Sequence, residues 1–425
     1  MAIMKDCCCG VDIHKSFIIA VIAKFKDKEV TFTKYERFST FTSGLREFKE
    51  WLRFHNCRDV CMESTGKYYI PVYRIVSDAE FHVDVVHPKY VRAPRGKKND
   101  KRDAKRIADM YMRDHIAEYS IIPPAEILVL RDLTRYRRKT VNTITAEKNR
   151  MSNCLTVSCI KLDEVLNDVY GKTGQAIIGQ IIERGGCSFD PTPYIDKRVK
   201  ASVEDFREAL DGDITPSTLT NMKIIQERLG YLSNQKAELE SSMESLSKDF
   251  NRQINILVSA PGIDTISAVS IISEIGVDMG VFGSLKKFLS WVGVVPQNNE
   301  SAGKKKSTRI GKGNTWLKPV IVQCANAAIK SKKHPEIREK YIALKKRRGH
   351  GKAVVAIAKR LMTAIYYMLL RGEMYSPCYG IDRAPNRGKI RVENLIAYYR
   401  SKGYTVVDTD GKLLQAEPSL PAQVS

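Results

Sequence analysis

The segment Lys98-Asn99-Asp100-Lys101-Arg102-Asp103-Ala104-Lys105-Arg106 sets two carboxylates three residues apart inside a strongly basic run. Between Lys89 and Arg113 stand ten Lys or Arg against three Asp. Ile107, Ala108, Tyr111 and Met112 carry the segment on at helical spacing, so a helix is predicted from Asp100 to Met112. Residues i and i+3 of a helix share a face one turn apart. Asp100 and Asp103 can therefore hold one divalent cation together. The plainer alternative is a solvated face on which both acids pair with neighbouring Lys and Arg. The chain upstream decides what this helix closes.

Three apolar runs, Cys8 to Ile13, Phe17 to Ala23 and Val30 to Tyr35, are separated by polar turns such as Lys26-Asp27-Lys28. They predict three strands in two hairpins. Asp12 falls in the first, within Gly10-Val11-Asp12-Ile13-His14-Lys15. A carboxylate in an apolar strand is costly unless a cation or hydrogen bonds hold it. Leu45, Phe48 and Leu52 then predict a helix from Ser43 to Phe54, and Asp59-Val60-Cys61-Met62 a fourth strand ending in Glu63-Ser64-Thr65-Gly66. Tyr68 to Ala79 reads as a helix and Val83 to Val86 as a strand. The order β-β-β-α-β-α-β-α predicts an α/β domain with Glu63 at the carboxyl end of a central strand, the edge where open α/β sheets bind ligands. Asp12, Glu63, Asp100 and Asp103 can then converge on Mg²⁺, a hard cation that takes oxygen ligands. Paired ions can clamp a phosphodiester for in-line displacement.

At 425 residues, two or three domains are expected. Lys and Arg number 70 against 48 Asp and Glu, a formal charge of +22, which fits a polyanionic partner. No stretch reaches the roughly 18 consecutive apolar residues of a spanning helix. Lys5, Asp6 and Asp12 interrupt any secretory signal. Ten cysteines without CxxC spacing point to reduced, mostly buried thiols in a cytoplasm and away from structural zinc.

The segments Gly10-Val11-Asp12-Ile13-His14-Lys15, Met62-Glu63-Ser64-Thr65-Gly66 and Asn99-Asp100-Lys101-Arg102-Asp103-Ala104 resemble, in order and spacing, the signature segments of the DEDD transposases of insertion sequences. The resemblance implies a ribonuclease H-like (RuvC-like) N-terminal domain with Asp12, Glu63, Asp100 and Asp103 as catalytic Mg²⁺ ligands, in a bacterial or archaeal chain. It also implies a serine nucleophile after a Pro-rich turn. The matching residue is Ser301, in Pro296-Gln297-Asn298-Asn299-Glu300-Ser301-Ala302-Gly303-Lys304-Lys305-Lys306-Ser307, which reads as a flexible loop. The implied partners are donor and target DNA and a bridge RNA whose base pairing chooses the sequence, as in other guided systems.

The remainder reads as mostly α-helical. A long polar helix from Glu126 to about Leu155 carries Arg131, Arg135, Arg137, Arg138, Lys139, Lys148 and Arg150, either a solvated connector or one wall of a nucleic-acid groove. Residues 156 to 215 suggest no chemistry. From Leu219 to Phe250, Met222, Ile225, Leu229, Leu232, Leu239, Met243, Leu246 and Phe250 recur in steps of three and four with Lys236 at one core position, a heptad seam of about four repeats. Such a coiled coil either joins protomers into a dimer or tetramer or is buried within one chain. Ile256 to Ala268 resembles a helix-hairpin-helix that grips phosphate with backbone N–H groups; Asp264 stands where a second Gly is common and is expected to cap the following helix.

Expected phosphate contacts are Lys98, Lys101, Arg102, Lys105, Arg106, Arg135, Arg138, Lys304, Lys305, Lys306, Arg309 and Lys312. The domain boundaries are 1–125 for the carboxylate domain, 126–250 for the helical linker and coiled coil, 251–375 for the serine domain and 376–425 for a tail. Two other functions fit the same residues. One is a RuvC-like junction-resolving nuclease that uses water. The other is a basic nucleic-acid scaffold without catalysis.

Overall fold

The computed structural model describes residues 5–91, 100–117, 119–296, 299–301, 304–307, 309–377, 405 and 407, with backbone alone at 299–301 and 304–306. Lys98 and nearly all of the expected tail lie outside the described residues. The chain divides into two units, Met1–Pro123 and Pro124–Ser425.

In the first unit β1 (Cys7–Ile13) and β2 (Phe17–Lys26) pair antiparallel. Asp27 and Lys28 both have positive φ, 55° and 66°, which matches a primed two-residue turn whose twist suits the strands it joins. The turn delivers β3 (Glu29–Phe32). The strand expected over Val30 to Tyr35 stops at Phe32, because Thr33 takes over the ladder: Ile22 N donates to Thr33 Oγ1 at 3.0 Å and Thr33 N to Ile22 O at 2.9 Å. The chain then re-pairs with the first half of β2 as β4 (Glu36–Ser39), a strand not expected from the sequence. Its one large apolar residue, Phe38, packs on Phe48 and Trp51.

Next come α1 (Thr42–Phe54), β5 (Asp59–Glu63), α2 (Tyr69–Val76), β6 (His82–Val86), α3 (Pro88–Val91) and α4 (Asp100–Met112). β5 runs parallel to β1 and β6 parallel to β5, giving the order β3-β2-β1-β5-β6 with β4 also on β2. Side chains alternate between faces along a strand. Cys9, Val11, Ile13, Val60 and Met62 therefore meet Leu45, Phe48 and Leu52 of α1 and Val72 and Val76 of α2. Cys8 and Cys61 meet Ile107, Ala108, Tyr111 and Met112 of α4 on the other side. Each such fully buried Leu or Phe contributes about 1.5–3 kcal/mol. The cysteines are part of this apolar filling, as expected; burial pushes the Cys8 thiol up to about 12.

Among its described residues, the second unit is helical apart from one hairpin. Two long helices, α5 (Ala125–Val157) and α9 (Pro216–Leu246), run antiparallel, since Arg137 pairs with Glu240 and Arg228 with Glu147. The stripe expected as a seam faces α5 of the same chain. Met222, Ile225 and Met243 are buried, whereas Leu229, Leu232 and Leu239 are half-buried. Among the described residues, then, the stripe is an intrachain packing face. Residues 156–215, unassigned from sequence, hold α6 (Leu162–Val165), α7 (Lys172–Arg184) and α8 (Val203–Ala209), which share a core with Met151 and Leu155 of α5 and Met222 and Ile225 of α9.

Beyond α9 lie α10 (Asn251–Val258), α11 (Thr265–Ile275), α12 (Leu285–Val292), the hairpin β7 (Asn299–Ser301) and β8 (Lys304–Ser307), α13 (Leu317–Ile329), α14 (Pro335–Arg348) and α15 (His350–Arg371). By length and composition α15 could cross a membrane. Within this unit, however, it packs on α10, α12, α13 and α14, and Ile357, Leu361, Met362, Ile365 and Met368 are buried.

Candidate functional site

Gly10 brings the carboxylates together. A β-carbon built on it would lie 2.3 Å from both Ala104 O and Ala108 N, so α4 rests directly on the backbone of β1. Only a residue with no side chain allows that approach. Asp12 follows two positions later on the same face, and Asp103 neighbours Ala104. The parallel register Gly10↔Cys61 and Val11↔Met62, continued by one residue, sets Asp12 beside Glu63.

Asp12 is 8% and Asp103 7% exposed. Burial raises the Asp12 pKa above the usual carboxylate range, His14 pulls it back, and the like charges of Glu63, Asp100 and Asp103 push it further up. All four acids are thus electrostatic neighbours. Distances bring two of them together directly: His14 Nε2 lies 3.2 Å from Asp12 Oδ2 and 3.3 Å from Asp100 Oδ2. Asp103 Oδ1 accepts from Arg106 Nη2 at 2.7 Å, and Glu63 Oε1 from Thr65 Oγ1 at 3.3 Å.

The His14 nitrogen tests whether a cation fits. It is shielded from solvent and makes no well-aligned hydrogen bond, although the two acids lie within ion-pair reach. Proximity without alignment is weak bonding, and a buried polar atom left so is costly. Ligand atoms of Asp12, His14 and Asp100 all lie within 4.8 Å of one another. Two anionic oxygens and an imidazole nitrogen around one point are a donor set for a divalent cation, so the residues fit the group.

In the second unit Ser301 ends β7 and pairs in register with Lys304 at the start of β8, so this stretch is a hairpin rather than the loop expected. A bridge between Pro296 and Ile310 closes its base. Behind the base, Asn314 Oδ1 accepts from Trp316 N and Leu317 N at 2.8 and 2.9 Å, capping α13, and Asn314 Nδ2 donates to Glu274 Oε2 at 2.8 Å. Glu274, 4% exposed, also takes a fork from Arg135, Nε at 2.7 Å and Nη2 at 2.9 Å. A buried carboxylate requires such partners.

The expected phosphate contacts divide by environment. Arg102, Arg309 and Lys312 are exposed, and Arg138 is half-buried. Lys101 Nζ donates to Tyr35 OH at 2.6 Å, and Lys105 sits 4.3 Å above the Phe32 ring. Arg106 is held by Asp103 and by Val91 O, and Arg135 by Glu274. Asp264 caps α11 as expected, accepting from Ser267 N at 2.7 Å. Gly262 turns with φ 78°, but its open side faces α13, where a β-carbon would lie 2.3 Å from Cys324 O.

Sequence reading missed His14 and Glu274. His14 was legible: two residues past Asp12 near a strand end, it shares the Asp12 face. Glu274 lies 139 residues from Arg135, and no local pattern announces that pairing.

Residues 9–160 match a model described as Transposase, of the IS110 DEDD type, and residues 254–342 match Transposase IS116/IS110/IS902 family. A probable family 20 transposase from Pseudomonas aeruginosa is 23% identical over 322 residues, 75% of this chain and 86% of that protein. The transposase for insertion sequence element IS1111A from Coxiella burnetii is 27% identical over 141 residues, 32% of this chain and 38% of that protein. Two models of one group span more than half of the sequence between them, and the chain belongs to the IS110-type family of insertion-sequence transposases.

Proposed function

We propose that this transposase cuts and rejoins DNA strands with Ser301 as nucleophile and Asp12, Glu63, Asp100 and Asp103 as ligands of Mg²⁺, on a ribonuclease H-like (RuvC-like) first unit. The observation that carries the reading is the gathering of acids around buried Asp12, with an imidazole nitrogen lacking a well-aligned partner between two of them. A cation bound there would supply Lewis acidity at a phosphodiester. The four acids bind and orient it, and burial of Asp12 and Asp103 limits competing water. The Ser301 hydroxyl attacks phosphorus, forming a phosphoserine–DNA bond as one strand P–O bond breaks; its proton leaves to a base and the freed strand end becomes a hydroxyl. Reversal with another hydroxyl restores a continuous strand.

Arg102, Arg309 and Lys312, with the Lys304–Lys306 run, supply the charge for DNA backbone and for a bridge RNA, with base pairing choosing the sequence. An oligomer that joins through a surface other than the α9 stripe, which packs on α5 of its own chain, completes the proposal.

The test is strand cleavage and covalent adduct formation on donor and target DNA, with copurified RNA sequenced in parallel. Asp12→Asn is expected to abolish cleavage, and Ser301→Ala to abolish both cleavage and adduct. Full cutting by Ser301→Ala would favour the water-using nuclease. No cleavage to lose at Asp12 would favour a scaffold. Bulk cellular RNA in place of one non-coding species would remove the guide.

A further inference from the structure

We propose that His14 is a direct nitrogen ligand of the cation, which biases the site away from Mg²⁺ toward borderline divalent ions such as Mn²⁺. The inference rests on the carboxylate reading above and adds a fifth residue and a selectivity to it.

Three observations support it. The turn from β1 to β2 fixes His14 through its backbone, with His14 N donating to Phe17 O at 2.9 Å. Its ring stacks on Phe17, centroids 4.5 Å apart and 28° between planes, and Arg37 lies 3.9 Å over the same Phe17 ring. A ring clamped in this way is held in orientation before any ion arrives. Its Nε2 then points at the space shared by Asp12 and Asp100, shielded from solvent and without a well-aligned hydrogen bond.

A ligating Nε2 is unprotonated, which leaves the ring proton on Nδ1. Carboxylate oxygens suit Mg²⁺, Ca²⁺ and Mn²⁺ alike, whereas imidazole favours transition metals, whose affinities rise along the series from Mn²⁺. Replacing an oxygen or water ligand by His14 therefore costs Mg²⁺ more than Mn²⁺. Loss of even an outer partner of a ligand lowers metal affinity about 10–100-fold, so loss of the ligand itself is expected to do no less.

The experiment uses the full chain stripped of metal, titrated with Mn²⁺ alone and Mg²⁺ alone by calorimetry, and Mn²⁺-loaded protein examined by pulsed electron paramagnetic resonance. Wild type is expected to prefer Mn²⁺ and to show coupling from one directly bound nitrogen. His14→Ala is expected to lose that coupling and to bind Mn²⁺ about tenfold or more weakly, with a smaller change for Mg²⁺. Absence of nitrogen coupling in wild type, or an unchanged Mn²⁺-to-Mg²⁺ ratio in His14→Ala, overturns the inference. Asp12→Asn keeps the two readings apart. If it loses both ions while His14→Ala keeps the wild-type ratio, the carboxylate site stands and only the role of His14 falls. If it binds as wild type does, or if wild type binds neither ion, the carboxylate reading fails and the inference with it.

Discussion

Gly10 and Ala104 touch backbone to backbone: a β-carbon at position 10 would stand 2.3 Å from the Ala104 carbonyl oxygen. That contact sets how far α4 sits from β1, and so how far Asp100 and Asp103 sit from Asp12. Gly10→Ala must push α4 away. Overpacking of this kind costs about 1–3 kcal/mol, and the obstacle here is backbone, which cannot swing aside as a side chain can. Urea denaturation is expected to show a loss at the top of that range, with cation affinity falling in parallel. A variant as stable as wild type would mean that the helix is not seated on the strand.

Asp12 makes the first unit's stability depend on pH in a definite sense. Its pKa is raised in the folded chain, chiefly by burial and then by the like charges around it against the pull of His14. The folded state therefore holds its proton more tightly than the unfolded chain, and stability falls as pH rises from the ordinary carboxylate value through the raised one. Above that window the ionised, buried carboxylate is a standing cost. Asp12→Asn is accordingly expected to melt higher than wild type at neutral pH in cation-free buffer, with the gain vanishing as the pH is lowered below the ordinary carboxylate value. Saturating cation should reverse the order, because it stabilises wild type alone. Equal melting temperatures at neutral pH, without cation, would contradict the assignment.

Arg135 and Glu274 allow a test of the second unit. Glu274 is buried, with the Arg135 fork across both of its oxygens and Asn314 and, 3.9 Å away, Arg131 at Oε2. Breaking a buried pair from one side typically costs about 3–5 kcal/mol, because the remaining charge is stranded. Arg135→Ala is expected near the lower end, since Arg131 compensates in part. Arg135→Ala combined with Glu274→Gln should recover much of the loss in equilibrium unfolding. If the double variant is as weak as the sum of the singles, the pair is not coupled.

These residues also show what the sequence could and could not reveal. Asp12, Glu63 and α4 were legible because strand and helix periodicities are local, and the turn at Asp27-Lys28 because its polar residues interrupt two apolar runs. β4 was hidden: Glu36-Arg37-Phe38-Ser39 has a single large apolar residue and no alternation to read. The stripe on α9 was found, but periodicity tells only that a face is covered and says nothing of the covering partner. Gly262 carried a similar ambiguity. Its positive φ suits a phosphate-gripping turn and a tight helix contact equally, and the nearness of Cys324, 62 positions on in the sequence, identifies the contact. The basic residues were legible only as composition, since Arg135 and Arg106 share the composition of a DNA-binding face and are also engaged by internal carboxylates.

Arg106 leads to the last prediction, in which two effects oppose each other. Its guanidinium occupies Asp103 Oδ1 at 2.7 Å and braces α4 through Val91 O at 2.9 Å. As a fixed positive charge beside the acids it repels an incoming divalent cation, a penalty of about 2 kcal/mol at 4 Å in a water-like dielectric and more in a drier one. As an outer partner it also holds Asp103 in orientation, a role whose loss usually weakens metal binding. Asp103 is already fixed by burial at 7% exposure, so the charge effect should win. Arg106→Gln is expected to bind divalent cation about fivefold more tightly while losing some thermal stability in cation-free buffer. Calorimetric titration against wild type at one ionic strength measures the first and a melting curve the second. Weaker binding would show that Arg106 orients Asp103 more than it repels the ion.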